Sequence, residues 1–63
     1  MKTAKAIAKA RKARGLSQAE LAKILGVSAG TVAAWETARH GVRLGRLSEV
    51  AQALHVDVAE LVA

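Results

Sequence analysis

The sequence has 63 residues, a length that predicts one domain over residues 1–63. It contains no proline and no cysteine, and the lack of cysteine excludes a disulfide framework. Its 52% hydrophobic residues argue against disorder, and the lack of a long apolar run argues against a membrane-spanning helix. The start of the chain does not have the pattern of a secretory signal, which favours the cytoplasm. A formal net charge of +5 favours an anionic partner, and because the most basic segment offers Ala and one Ile rather than large membrane anchors, we expect nucleic acid.

Two helices are predicted at the start of the chain. Residues 3–14 are rich in Ala, Lys and Arg, which are strong helix formers. Ser17 and Glu20 have the spacing of a capping box, which predicts that a second helix begins at Gln18. We expect this helix to end at Gly26, because a helix end favours a residue that tolerates positive φ. The side chains expected to form its apolar face are Leu21, Ala22, Ile24 and Leu25.

A third helix and a loop follow. Ser28 is a second good N-cap, which predicts a helix over residues 29–36. Val32 and Trp35 lie three residues apart, so both are expected on the same face, and we expect Trp35 to pack in the core because stacking on single-stranded bases would need several exposed aromatic residues. Residues 37–43 contain basic side chains and little apolar content, so we expect an exposed loop there.

The chain ends with two more predicted helices. One covers residues 44–54, and the spacing of Asp57 and Glu60 repeats the capping box before a short last helix. The sequence therefore predicts an all-α fold of five helices whose core contains neither Phe nor Tyr. The residues of the fourth helix expected to face inward are Leu47, Val50, Ala51 and Leu54.

Residues 18–37 have the pattern of two short helices joined by a tight turn, which is a helix-turn-helix. With their flanks they resemble the lambdoid phage repressor and Cro family, the Cro/C1-type or XRE-like regulators, over nearly the whole chain. The resemblance implies a compact five-helix lambda-repressor-like domain that binds DNA. The matching residues are Ile7, Ala10, Arg11, residues 14–18, residues 20–22, residues 25–28, Thr31, Val32, Trp35, Glu36, Ala51, Ala53, Leu54, Val56, Glu60 and Leu61.

The family resemblance also implies roles for individual residues. The third helix would lie in the major groove of double-stranded DNA, in a sequence-specific transcriptional regulator of repressor type. Arg11 would pair with Glu36. The positions facing the base edges would be Ala29, Gly30, Thr31 and Ala34. The positions contacting the DNA backbone would be Gln18, Ser28, Arg11, Arg39, His40 and Arg43.

The same resemblance implies two copies on a two-fold operator, with residues 55–58 near the contact between them. Because neither Ser17 nor Ser28 has a paired His and carboxylate, we expect no enzyme and no catalytic residues, and we expect no metal, cofactor or small-molecule substrate. An alternative remains open from another class, a protein-interaction or antitoxin-like module with only non-specific DNA affinity. The Ala-rich, Pro-free composition is also that expected of an engineered DNA binder.

The sequence departs from the family pattern at several positions, which include Val42 and Arg43, where the family often has Pro and a capping Ser. Ala29, Gly30 and Ala34 have no hydrogen-bonding reach, so we expect modest specificity or a contribution from methyl contacts, loop residues and DNA shape. Ala38 and His55 stand where the family favours Gly. This predicts either strained left-handed residues or loops that run differently.

Overall fold

The computed structural model describes residues 2–39 and 41–62, and these residues form five α-helices. The predicted all-α fold is therefore confirmed. α1 begins and ends one residue before its predicted bounds, whereas the bounds of α3 and α4 are those expected from the sequence. In chain order the helices are α1 Lys2–Ala13, α2 Gln18–Leu25, α3 Ala29–Glu36, α4 Leu44–Leu54 and α5 Val58–Val62.

All five helices contribute to one hydrophobic core. α1 packs against α3, α4 and α5, while α2 packs against α3 and α4. Burying a branched aliphatic side chain stabilises a fold by about 1.5–3 kcal/mol, so a few such residues decide the stability of so short a chain. The largest fully buried side chains, each less than 2% exposed, are Ile7, Leu21, Val32, Val50, Leu54 and Leu61.

The predicted apolar face of α4 is buried, but that of α2 is only partly correct. Leu21 and Ala22 are buried and Leu25 is half-buried against the core, whereas Ile24 is 55% exposed. The interpretation of Ile24 as a core residue is therefore wrong. An eight-residue helix with Leu21, Ala22 and Leu25 already facing inward leaves Ile24 at the edge of that face, beside an open cleft between α2 and α4.

Among residues 2–39 and 41–62, two residues other than glycine adopt left-handed backbone geometry. Ala38 has φ 61° and His55 has φ 59°, at the two positions where the resemblance favours Gly. His55 ends α4, and its backbone N–H donates to the carbonyl of Gln52. The chain therefore turns as it would with glycine, and each of these residues carries a strain of roughly 1–2 kcal/mol.

The first turns of α4 and α5 lack a complete side-chain cap. Arg43 precedes α4 and makes no side-chain capping hydrogen bond, while Val42 is half-buried against the core rather than exposed as expected of that loop. At α5, the backbone N–H of Asp57 donates to the Glu60 carboxylate at 3.0 Å. The N–H of Glu60 donates to the backbone carbonyl of Asp57, so only half of the predicted capping box forms.

Candidate nucleic-acid interface

The start of α2 is fixed by the capping box that the sequence predicts. The hydroxyl of Ser17 accepts a hydrogen bond from the N–H of Glu20 at 3.0 Å. In return, the Glu20 carboxylate accepts one from the N–H of Ser17 at 2.8 Å. The backbone N–H of Ser17, and after it the Ser17 side chain, stabilise the charged carboxylate and so lower the pKa of the Glu20 carboxyl. The first turn of α2 is therefore formed independently of any bound ligand.

A tight turn then sets α3 against α2. The N–H of Gly26 bonds to the carbonyl of Lys23, and the φ of 72° at Gly26 lets the N–H of Val27 bond back to the carbonyl of Ala22. On the inner side of the unit, Leu21, Ala22, Val32 and Trp35 are buried. Polar and apolar contacts within the protein both hold the turn. The angle between α2 and α3 is therefore set without a bound partner.

The outward face of α3 is made of small residues. Ala29 and Gly30 are exposed in the first turn, and Thr31 and Ala34 are half-buried. A Cβ at Gly30 would meet only the Ser28 hydroxyl oxygen, at 3.8 Å, which is an ordinary contact distance. The four positions predicted to face DNA bases thus lie on a rigid helix, and the first two are open to solvent.

The polar atoms at the start of α3 are bonded to one another. The Ser28 hydroxyl accepts from the N–H of Thr31 at 3.1 Å, which confirms its role as the N-cap. The Ser28 and Thr31 hydroxyl oxygens also lie 2.9 Å apart in a hydrogen bond. One hydroxyl hydrogen of the pair is therefore used within the protein.

An ion pair joins α1 to the end of α3. The Arg11 guanidinium donates to both carboxylate oxygens of Glu36, at 2.6 Å from Nε and 3.1 Å from Nη2. Its Nη1 donates to the backbone carbonyl of Leu16 at 2.7 Å. The predicted structural pair is present, and the side chains of Arg11 and Glu36 are only 10% and 6% exposed.

Gln18 at the start of α2 completes this network. Its Nε2 donates to Glu36 Oε1 at 3.0 Å, so one carboxylate connects three helices. Burial alone would raise the pKa of Glu36, but the hydrogen bonds from Arg11 and Gln18 outweigh burial and hold the pKa below its usual value. The bonds to Glu36 also raise the pKa of Arg11. Sequence reasoning missed the Gln18 bond, since nothing in the spacing of residues 18 and 36 indicates it.

The segment after α3 supplies exposed basic side chains. Arg39 and Arg43 are both exposed, and the N–H of Arg39 is tied to the carbonyl of Ala34 at 2.9 Å. His40, the third residue expected to contact the DNA backbone there, lies outside the described residues. The structure thus places two of the predicted cations in solvent, next to the end of α3 and the start of α4.

Of the residues predicted to contact the DNA backbone, two stand at helix starts and one is buried in the protein. Gln18 and Ser28 stand at the starts of α2 and α3, where the free N–H groups and the helix dipole favour an anion. Arg11 is buried, and its guanidinium donates to Glu36 and Leu16. We therefore place Arg11 with the structural network rather than with the surface that faces DNA.

A cluster of metal-ligating side chains and a membrane-spanning helix are both absent from the part of the chain that the structure describes. Over residues 2–39 and 41–62, no group of three His, Cys, Asp or Glu side chains is arranged to hold a metal ion. None of the described helices combines the length and the apolar character needed to cross a membrane.

Comparison with known protein families gives a match over most of the chain. The family model described as helix-turn-helix matches residues 7–61, which cover α2, α3 and α4 in full and most of α1 and α5. No curated protein and no solved structure matches the chain.

Proposed function

The chain belongs to the helix-turn-helix family of DNA-binding transcription regulators, and we propose that it reads specific sequences of double-stranded DNA with α3 in the major groove. The observation that carries this proposal is the division of α3 into two faces. Val32 and Trp35 anchor the helix in the core, while Ala29 and Gly30 are exposed on the other side. A B-DNA major groove about 12 Å wide accepts a helix presented in this way.

Contacts to the sugar-phosphate backbone would hold α3 in that position. We assign them to Gln18 and Ser28 at the helix starts and to Arg39 and Arg43 after α3. The hydrogen bond from Gln18 to Glu36 supports this assignment, because it fixes the amide of Gln18 relative to α3. Since backbone contacts set the register of a protein on DNA, these four residues would orient the helix while its outward face meets the bases.

We further propose that two copies bind a two-fold operator and act as a repressor, as the resemblance to lambdoid repressors suggests. The half-sites would then lie about 34 Å apart, one turn of the duplex. The corner between α4 and α5 supports a weak contact between copies, because His55 and Asp57 are exposed there. The proposal includes no catalytic reaction.

The experiment that tests this function is selection of bound duplexes from a random pool at near-physiological salt. It compares the wild-type chain with an Arg39→Ala/Arg43→Ala variant and with a Lys5→Ala/Lys9→Ala control on the exposed face of α1. Each double variant removes two positive charges, which takes the formal net charge from +5 to +3. We expect enrichment of a motif by the wild-type and control proteins and a much weaker enrichment by the loop variant.

The salt dependence of binding gives a second readout on the same proteins. Each lost phosphate contact lowers the slope of log K against log salt by about 0.9 for B-DNA. We expect the loop variant to lose roughly two such contacts and the control to keep the wild-type slope. If no motif is enriched, or if both variants behave alike, the proposal fails and the domain is better explained as a protein-interaction module with non-specific DNA affinity.

A further inference from the structure

The face of α3 that would meet the bases has few hydrogen-bonding groups to offer. Ala29, Gly30 and Ala34 have none in their side chains, so neither an Arg–guanine nor a Gln–adenine pair is available from them. The hydroxyl of Thr31 is bonded to the Ser28 hydroxyl at 2.9 Å, and Ser28 also accepts from the N–H of Thr31. The apolar groups that this face offers are the methyl of Ala29, which is exposed, and the methyl of Ala34, which is half-buried.

We propose that α3 recognises the 5-methyl groups of pyrimidines in the major groove, with Ala29 and Ala34 as the specificity-determining residues and Gly30 allowing close approach. The inference rests on the proposed function, since it names what the same surface reads. Thymine projects this methyl group into the major groove, and 5-methylcytosine carries the same group at the same ring position. Contact between a protein methyl and a base methyl removes apolar surface from water without any directional bond.

Helix geometry fits two base methyls that lie about two base-pair steps apart. Ala29 and Ala34 are five residues apart, which at 1.5 Å per residue separates them by about 7.5 Å along the helix axis. Successive bases of one strand rise by about 3.4 Å, so this separation corresponds to about two base-pair steps. At Gly30 no side chain stands between the helix backbone and the base edges, and open space surrounds the position apart from the Ser28 hydroxyl.

The first test uses three versions of one random duplex pool. The first contains thymine, the second contains uracil in place of thymine, and the third contains uracil together with 5-methylcytosine. We expect a thymine-containing motif in the first pool, no enrichment in the second, and a motif centred on 5-methylcytosine in the third. For a single duplex, each thymine replaced by uracil should lower affinity about fourfold, the ratio given by the transfer free energy of one buried methyl(ene) group.

The outcomes separate this inference from the proposed function. If the thymine and uracil pools enrich the same motif, the methyl reading is wrong while sequence-specific DNA binding stands. If no pool enriches any motif, the proposed function fails and this inference fails with it. Enrichment in the first pool that is lost in the second and returns in the third supports both.

The second test removes a protein methyl instead of a base methyl. Ala29→Gly is expected to bind a thymine duplex several-fold more weakly and to bind the matching uracil duplex as the wild-type protein does. Ala59→Gly is the matched control, because it deletes an exposed methyl from the first turn of α5, which packs on α1 and α4. Thermal unfolding of both variants monitors the fold. Equal weakening of Ala29→Gly on both duplexes would overturn the assignment, because a purely structural effect does not depend on the base methyl.

Discussion

Replacing Glu36 with Gln is expected to remove a large part of the stability of the domain. The substitution leaves the Arg11 guanidinium, whose side chain is 10% exposed, without its counter-charge. Breaking a buried ion pair by removing one partner costs about 3–5 kcal/mol. Domains are stable by about 0.05–0.15 kcal/mol per residue, which for this length is on the order of 3–9 kcal/mol. We therefore expect Glu36→Gln to lose between about a third and all of the stability of the domain.

The assay is urea unfolding followed by far-UV circular dichroism and by the fluorescence of Trp35. Glu49→Gln is the matched control, because Glu49 makes a 2.8 Å ion pair with Arg46 whose side chains are 58% and 40% exposed. Exposed pairs contribute about 0–1 kcal/mol, so the midpoint of the control should stay near that of the wild-type protein. If Glu36→Gln shifts the midpoint no more than the control does, the buried network is not a main source of stability.

The same carboxylate makes stability depend on pH in a defined direction. The pKa of Glu36 is lower in the folded protein than in the unfolded chain, where a Glu titrates near about 4.3. Below that value the unfolded chain binds the proton first, so the contribution of Glu36 is complete above the unfolded pKa and is lost as the pH falls through the folded one. We expect the wild-type protein to lose stability more steeply than Glu36→Gln below about pH 4.3. Parallel acid profiles would contradict this assignment.

Three other substitutions have expected outcomes of smaller size. His55→Gly should raise the melting temperature by about 3–8 °C relative to His55→Ala, because relief of left-handed strain exceeds the entropy that glycine adds to the unfolded chain; an equal melting temperature would argue against strain. Ser28→Ala should cost about 1 kcal/mol of unfolding free energy in urea as a lost N-cap, whereas Ser48→Ala, on the exposed side of α4, should cost almost nothing. Gly30→Ala should add about 0.5–1 kcal/mol of stability, since its Cβ meets only the Ser28 hydroxyl oxygen at 3.8 Å; a loss in the same urea assay would show that the position is more crowded than its geometry indicates.

The helix boundaries were predictable because they depend on local chemistry. Ser17 and Ser28 both cap the helices that follow them, and Gly26 adopts the positive φ that ends α2. The start of α1 has no comparable capping signal, and its predicted bounds were off by one residue. The family resemblance also placed the Arg11–Glu36 pair, which the structure contains.

What the sequence could not supply depends on how the helices are arranged in space. Ile24 has the spacing of a core residue, and only the position of α4 decides that its side chain is exposed beside a cleft. The bond between Gln18 and Glu36 joins residues 18 positions apart, so no periodicity predicts it. Likewise, the half-buried position of Val42 follows from its contact with the core and not from the polarity of its neighbours.

Because α3 has one buried and one exposed face, its exposed residues can be substituted without unfolding the domain. The residues that keep the helix folded and attached are Ser28, Val32, Trp35 and Glu36, whereas Ala29 and Gly30 are exposed to solvent. Mutations at the exposed positions therefore change the surface that α3 presents to solvent without removing the contacts that hold the helix in the fold. The surface of α3 could therefore diverge among descendants of such a chain without loss of folding stability, and a library randomised at codons 29 and 30 should consist mostly of folded members.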